Sequence, residues 1–314
     1  MSTVVDLSFP FFGLIFLGFL AARLMKAPEA GLQWMNLFLI YFSLPALFFQ
    51  LLSRTPVAEL ANGRFVIATT GATALTFTIA FLYARFLARR GAADSGILAL
   101  TGGYANVGYM GPGLTLAVLG TGASVPTALV LCFDNMLLFT IMPVLMALAN
   151  GAGEPLDRVV GRALFRVATH PFIVSSVAGI LAAIVEFHPP AALDTLLTLL
   201  RQAAAPSALF ALGVTLGLRP FRGIPKVLPP VLGMKLVLHP LLAFAFVSLI
   251  AGLDPVFLYT AVLMASLPPA ANVYVMAAGY DAFVDGASTG VLVGTLLSVI
   301  TVTGVIFLIT HGMI

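Results

Sequence analysis

The sequence predicts an all-α polytopic membrane protein with ten transmembrane helices. They form two inverted five-helix repeats, with broken crossing helices 4 and 9. Three observations carry this prediction. First, of 314 residues, 61% are hydrophobic and 9% charged, where a soluble domain is nearer a quarter charged. Second, uncharged apolar runs of membrane-crossing length recur along the chain. Third, the two halves share residues at near-constant offsets.

The apolar runs lie near 7–25, 34–53, 65–88, 95–120, 125–149, 167–187, 193–217, 227–251, 256–280 and 286–310. They leave no room for a separate soluble domain. The first run follows Asp6 and precedes Arg23 and Lys26, the reverse of a cleaved signal peptide, so it reads as a retained helix. With the N-terminus outside, Arg23, Lys26, Arg85, Arg89, Arg90, Arg158, Arg162, Arg166, Arg219, Arg222 and Lys226 all fall in inner loops. Only Arg54 and Arg64 fall outside, and Arg201 and Lys235 lie within spans. That asymmetry is a positive-inside signal. It places both termini on the outer face.

Span 1 reads Pro10-Phe11, Gly18 and Leu20-Ala21-Ala22; span 6 reads Pro171-Phe172, Gly179 and Leu181-Ala182-Ala183, each pair offset by 161. Pro45 of span 2 and Pro206 of span 7 share that offset, and Ala105-Asn106-Val107 and Ala271-Asn272-Val273 are offset by 166. With five spans per half, a shared fold requires the second half to be inverted in the membrane. The organisation is then a first repeat over 1–150, a short cytoplasmic linker over 151–166 and a second repeat over 167–314.

Span 4 carries Gly102, Gly103, Asn106, Gly108, Gly111, Pro112 and Gly113; span 9 carries Pro268, Pro269 and Asn272. Proline and glycine interrupt helices. Broken backbone is tolerated at membrane depth only against protein or a water-filled cavity. Two interrupted spans at matching places in inverted halves point to a transporter's binding site. The half-helix N-termini offer N–H groups and partial positive charge to an anion, and Asn106 and Asn272 can donate and accept there. The plainer reading is close helix packing or a kink, since membrane helices are rich in Gly and Pro.

These residues resemble the auxin efflux carrier family, which includes plant PIN-type carriers and bacterial malonate and malate permeases. The resemblance rests on Asn106 with Gly111-Pro112, on Pro268-Pro269-Ala-Ala-Asn272, and on Ala205-Pro206-Ser207-Ala208-Leu209-Phe210-Ala211-Leu212-Gly213. It covers the whole chain and is poor for substrate. The long loop of many plant members is absent, as in short bacterial-type members, which suggests a bacterial inner membrane. The resemblance implies a fold like that of bile acid/sodium symporters. In it helices 1, 2, 6 and 7 form a scaffold and helices 3, 4, 5, 8, 9 and 10 a moving transport core with elevator-like alternating access.

Ionisable residues inside the membrane are costly. Asp134, followed by Asn135, either coordinates a coupling cation, carries a proton or accepts hydrogen bonds from neighbouring helices. Arg201 either faces a carboxylate substrate, forms an ion pair or snorkels outward. Lys235 is expected to snorkel inward, and His239 either relays protons or is a satisfied buried group. Thus Asn106, Gly108, Pro112, Pro268, Pro269, Asn272 and Arg201 are candidates for substrate binding, and Asp134, Asn135 and His239 for ion coupling. His170 and His188 suggest nothing specific.

The function expected is secondary transport of a small organic anion, malonate/malate-like or auxin-like, driven by sodium, protons or membrane potential alone. The alternatives are a channel or a membrane sensor. No phosphate-binding loop, HExxH or CxxC occurs, so an enzyme is not expected. No cofactor, metal site or nucleic-acid partner is expected, and the single Cys132 forms no internal disulfide. The residues do not set the oligomeric state, and a homodimer stays open.

Overall fold

The computed structural model describes residues 2–25, 30–55, 62–149, 155–218, 223–250 and 252–314. Lys26, Arg219 and Arg222 of the charge count, and residues 151–154 of the linker, lie outside them. The described residues are almost wholly helical. α1 is Ser2–Met25, α2 Gly31–Ser53 and α3 Gly63–Leu87. α4 is Ala92–Gly103, α5 Gly111–Leu119 and α6 Ser124–Ala149. α7 is Leu156–Ala168, α8 Pro171–Ile184, α9 Ala191–Leu218 and α10 Leu228–Ser248. α11 is Pro255–Ser266, α12 Asn272–Tyr280 and α13 Val284–Thr310.

Each of the ten expected spans contains helix. Among the described residues, six helices are long and apolar enough to cross a membrane: α2, α3, α6 with its leading turn, α9, α10 and α13. Spans 4 and 9 are each two short helices, α4–α5 and α11–α12. The expected linker differs from a plain loop, because Leu156–Ala168 forms α7. Its sequence alternates a buried Val159 with exposed Asp157, Arg158 and Arg162. That amphipathic pattern suits a helix lying along a membrane surface.

Local chemistry explains the helix boundaries. Asn62 caps α3 by accepting from Phe65 N–H, and Asp254 caps α11 by accepting from Val256 N–H at 2.9 Å. Pro171 and Pro255 occupy first turns, where a missing N–H costs nothing. Two prolines widen helices instead. Pro45 and Pro240 lack an N–H and clash with the carbonyl four residues back. Just before each, one turn opens to a five-residue spacing: Leu44 N–H reaches Leu39 O, and His239 N–H reaches Met234 O. Such π turns often sit at functional sites. The second one carries Lys235.

Glycine sets two close helix contacts. α1 lies on α9, where a Cβ on Gly18 would overlap the Phe210 carbonyl. α8 lies on α2, where a Cβ on Gly179 would meet the Phe49 carbonyl at 2.9 Å. Polar bonds tie α2 to α9: Ser43 donates to Leu200 O at 2.6 Å, Gln50 to Asp194 Oδ1 at 3.0 Å, and Arg54 pairs with Asp194 at 2.6 Å. Gly18→Leu should therefore destabilise the protein by about 1–3 kcal/mol through overpacking. Gly13→Leu, whose Cβ would meet only Phe9 at 3.9 Å, should be near neutral. Thermal unfolding in detergent checks the pair; equal losses would contradict this packing.

Candidate functional site

Both breaks are built by sequence. α11 ends at Leu267, whose backbone is extended (φ −59°, ψ 151°) because the following Pro268 disfavours helix. α4 ends after Gly102-Gly103, and Tyr104 is likewise extended. The two extended pieces lie antiparallel across each other. Asn106 N–H donates to Pro268 O at 2.8 Å, Ala270 N–H donates to Tyr104 O at 3.0 Å, and Ala105 bridges Pro269. The broken backbones thus satisfy one another, as an apolar surrounding demands. Past the crossing, α5 starts at Gly111-Pro112 and α12 at Asn272, so two helix N-termini adjoin it.

A small pocket lies at this point, with Tyr104, Asn106, Gly108, Asn135, His170 and Asn272 among its lining. Asn106 is 3% exposed, and its Nδ2 has no hydrogen-bond partner among the described residues. Tyr104 donates to Asn135 Oδ1 at 2.6 Å, and Asn272 Nδ2 donates to the Tyr104 oxygen at 3.4 Å. A second pocket shares Gly108 and Tyr109 with the first and is also lined by Pro112, Gly113, Arg201 and Gln202.

Of the substrate candidates, Asn106, Gly108 and Asn272 meet in the first cavity, and Pro112 and Arg201 face the second. Pro268 and Pro269 line neither; they are buried and shape the crossing backbone. His170, which had suggested nothing, lines the first cavity and caps α8 through Phe172 N–H.

Beside the crossing, Asp134 and His239 belong to one buried chain of hydrogen bonds. Thr73 on α3 donates to Asp134 Oδ2 at 2.9 Å and lies 3.1 Å from His239 Nε2. Lys235 Nζ lies 3.1 Å from His239 Nδ1 and donates to Ala265 O at 2.6 Å. A hydroxyl has one proton to give. With Thr73 donating to Asp134 and Lys235 as an ammonium, a neutral His239 that donates through Nε2 and accepts at Nδ1 fits both contacts. Lys235 has no exposed surface, which corrects the expectation that it snorkels. The wide turn before Pro240 directs it at the last carbonyls of α11, the negative end of that helix. Asn135, the next residue after Asp134, joins the crossing instead.

Thr73, Tyr104 and Lys235 are residues of the candidate site that the sequence did not single out. A signal existed for the first: Thr73 and His239 are separated by 166, the spacing of Asn106 and Asn272. Arg201 forms no ion pair within 4.0 Å among the described residues, where the pair found is Arg54–Asp194.

An apolar helical bundle whose two broken helices cross over a polar cavity has the makings of a membrane transport protein. Residues 3–306 match the family model described as Membrane transport protein. The chain is similar to a Rhizobium meliloti (strain 1021) protein named "Putative malonate transporter", 47% identical over 99% of this chain and 98% of that one. It is also similar to uncharacterized transporters of Methanothermobacter thermautotrophicus (29% identical, 92% of each chain) and Escherichia coli K12 (YfdV, 26% identical, 93% of each chain). The chain belongs to the Membrane transport protein family, that of the auxin efflux carriers. It is a multi-pass membrane protein of a family of transporters rather than enzymes.

Proposed function

We propose that this chain is a secondary transporter that carries a small carboxylate, malonate in the first instance, by alternating access at the crossing. The observation that carries the reading is Asn106: a buried amide with a free Nδ2, in a cavity adjoining two helix N-termini. A bound carboxylate supplies the missing acceptor, and the two helix ends stabilise its charge. Asn272 completes the same wall, and Arg201 offers a second cationic contact through the adjoining cavity. The malonate assignment leans on the name of the Rhizobium relative.

Ten membrane crossings in two inverted repeats suit this reading, with helices of spans 1, 2, 6 and 7 as scaffold and the remainder as moving core. Paired positions support it. Gly18 packs on Phe210 and Gly179 on Phe49; the two glycines are offset by 161, and so are the two phenylalanines. Thr73 faces His239, and Asn106 shares a cavity with Asn272, both offset by 166. In this arrangement both termini face outward from a bacterial inner membrane, and Asp134, Asn135 and His239 serve ion coupling.

Counterflow tests the function. Purified protein in vesicles preloaded with unlabelled malonate should take up labelled malonate saturably, faster than into empty vesicles. Conduction without such acceleration would indicate a channel. No movement of malonate would remove this substrate.

A further inference from the structure

The buried chain Lys235–His239–Thr73–Asp134 has three features that ion coupling in general does not explain. Its polar groups lie in one unbroken line, from the Lys235 amine through His239 and Thr73 to the Asp134 carboxyl group. Its cation occupies the carbonyl of Ala265, two residues before the extended break at Leu267. Its carboxylate keeps one oxygen, Asp134 Oδ1, buried and without a partner among the described residues.

We propose that the coupling ion is a proton, loaded on Asp134, and that Lys235 is a built-in cation that takes the place of sodium. This rests on the transporter reading above and names its driving ion. A hard cation seeks several oxygen ligands, and the carboxylate and the α11 C-terminal carbonyls are the oxygens on offer. The ammonium already holds that carbonyl and, through His239 and Thr73, that carboxylate. A second cation there would face Lys235. A proton needs only the free oxygen. It adds to Oδ1, turning the carboxylate into a carboxyl, and leaves later from the same oxygen; no other bond changes.

The arithmetic of charge links this step to the crossing. With Asp134 ionised, the chain holds one positive and one negative group. With Asp134 protonated, it holds one net positive charge beside the anion site. Moving an anion through a low-dielectric core is costly unless it is compensated, so the anion and the proton travel more cheaply together. Two short links transmit the state. Asn135 ties α6 to the crossing through Tyr104, and Lys235 grips α11 at the edge of its break.

The groups facing Asp134 are few. From α10 come Lys235 and His239, the latter through Thr73, and from the break after α4 comes the Tyr104 phenol. α3 contributes the Thr73 hydroxyl and carries Arg64, Tyr83 and Arg85 at its ends; α11 contributes the Ala265 carbonyl and carries Tyr259 two turns earlier.

The test measures malonate accumulation in sodium-free vesicles at about pH 8 inside and about pH 7 outside. One proton per malonate should raise the accumulation ratio roughly tenfold over equal pH, and a sodium gradient should add nothing. Asp134→Asn should show no response to the pH gradient. Because that change leaves Lys235 without a counter-charge, Asp134→Asn/Lys235→Met is made beside it and should be equally unresponsive. Asp134→Glu, which keeps an acid in place, should retain part of the response. A gradient response in either Asn variant, or accumulation driven by sodium, overturns the proposal. Infrared difference spectra of purified protein, acid minus alkaline, need no substrate. A buried protonated-carboxyl band present in wild type and missing in Asp134→Asn supports the proposal; spectra alike in both overturn it. Absence of malonate transport in wild type would thus remove the substrate assignment while the spectra still decide the proton.

Discussion

Replacing Lys235 with Met is expected to cost about 3–5 kcal/mol of folding stability, the range for removing one partner of a buried charge pair. Lys235 has no exposed surface, and its ammonium is held by Ala265 O and His239. Its removal leaves the Asp134 carboxylate in the core with no counter-charge, bound by Thr73 alone. The loss should therefore reverse when the second charge is also removed. Asp134→Asn/Lys235→Met should recover most of the stability of the single variant. Unfolding in mixed detergent micelles, read as a double-mutant cycle, gives the coupling directly. A single-variant loss under about 1 kcal/mol, or a double variant as unstable as the sum of its parents, would show that the two charges do not compensate each other.

The second large effect belongs to transport. Asn106→Ala should raise the malonate concentration for half-maximal exchange roughly ten- to hundredfold. A hydrogen bond to a charged group contributes about 1.5–3 kcal/mol, and each 1.4 kcal/mol is tenfold. No described residue satisfies the Asn106 Nδ2, so its removal should cost little stability and its effect should appear in affinity. Asn272→Ala should act more weakly on affinity, since Asn272 is only partly buried and already donates to Tyr104. Concentration series of counterflow separate the two variants. Equal half-saturation in wild type and Asn106→Ala would remove Asn106 from the site.

Much of this architecture is legible in the sequence because its causes are local. Apolar runs, Gly102-Gly103 and Pro268-Pro269 dictate where helices form and fail, whatever packs around them. The pairing of Asn106 with Asn272 follows from their offset. What the sequence hides is direction. Lys235 reads as a residue that reaches for water, because its position eight residues into a span allows that. The π turn before Pro240 turns it inward instead, and the partners that make burial tolerable, His239 and Ala265, lie on its own turn and on another helix. Thr73 and Tyr104 are hidden for a related reason. A single hydroxyl among many in apolar spans becomes functional only through the carboxylate or amide that tertiary packing brings to it. The stretch before span 6 reads as a linker because its charges outweigh its hydropathy. Only the spacing of Val159 against its charged neighbours marks α7 as a surface helix.

The crossing of the two broken helices is the proposed carboxylate site. Equilibrium binding of labelled malonate to purified protein tests it most directly, with wild type, Asn106→Ala and Gly13→Leu as the three samples. One saturable site in wild type, unchanged in Gly13→Leu and weakened roughly ten- to hundredfold in Asn106→Ala, is the result expected. Malonate bound as tightly by Asn106→Ala as by wild type would contradict it and move the site elsewhere in the bundle.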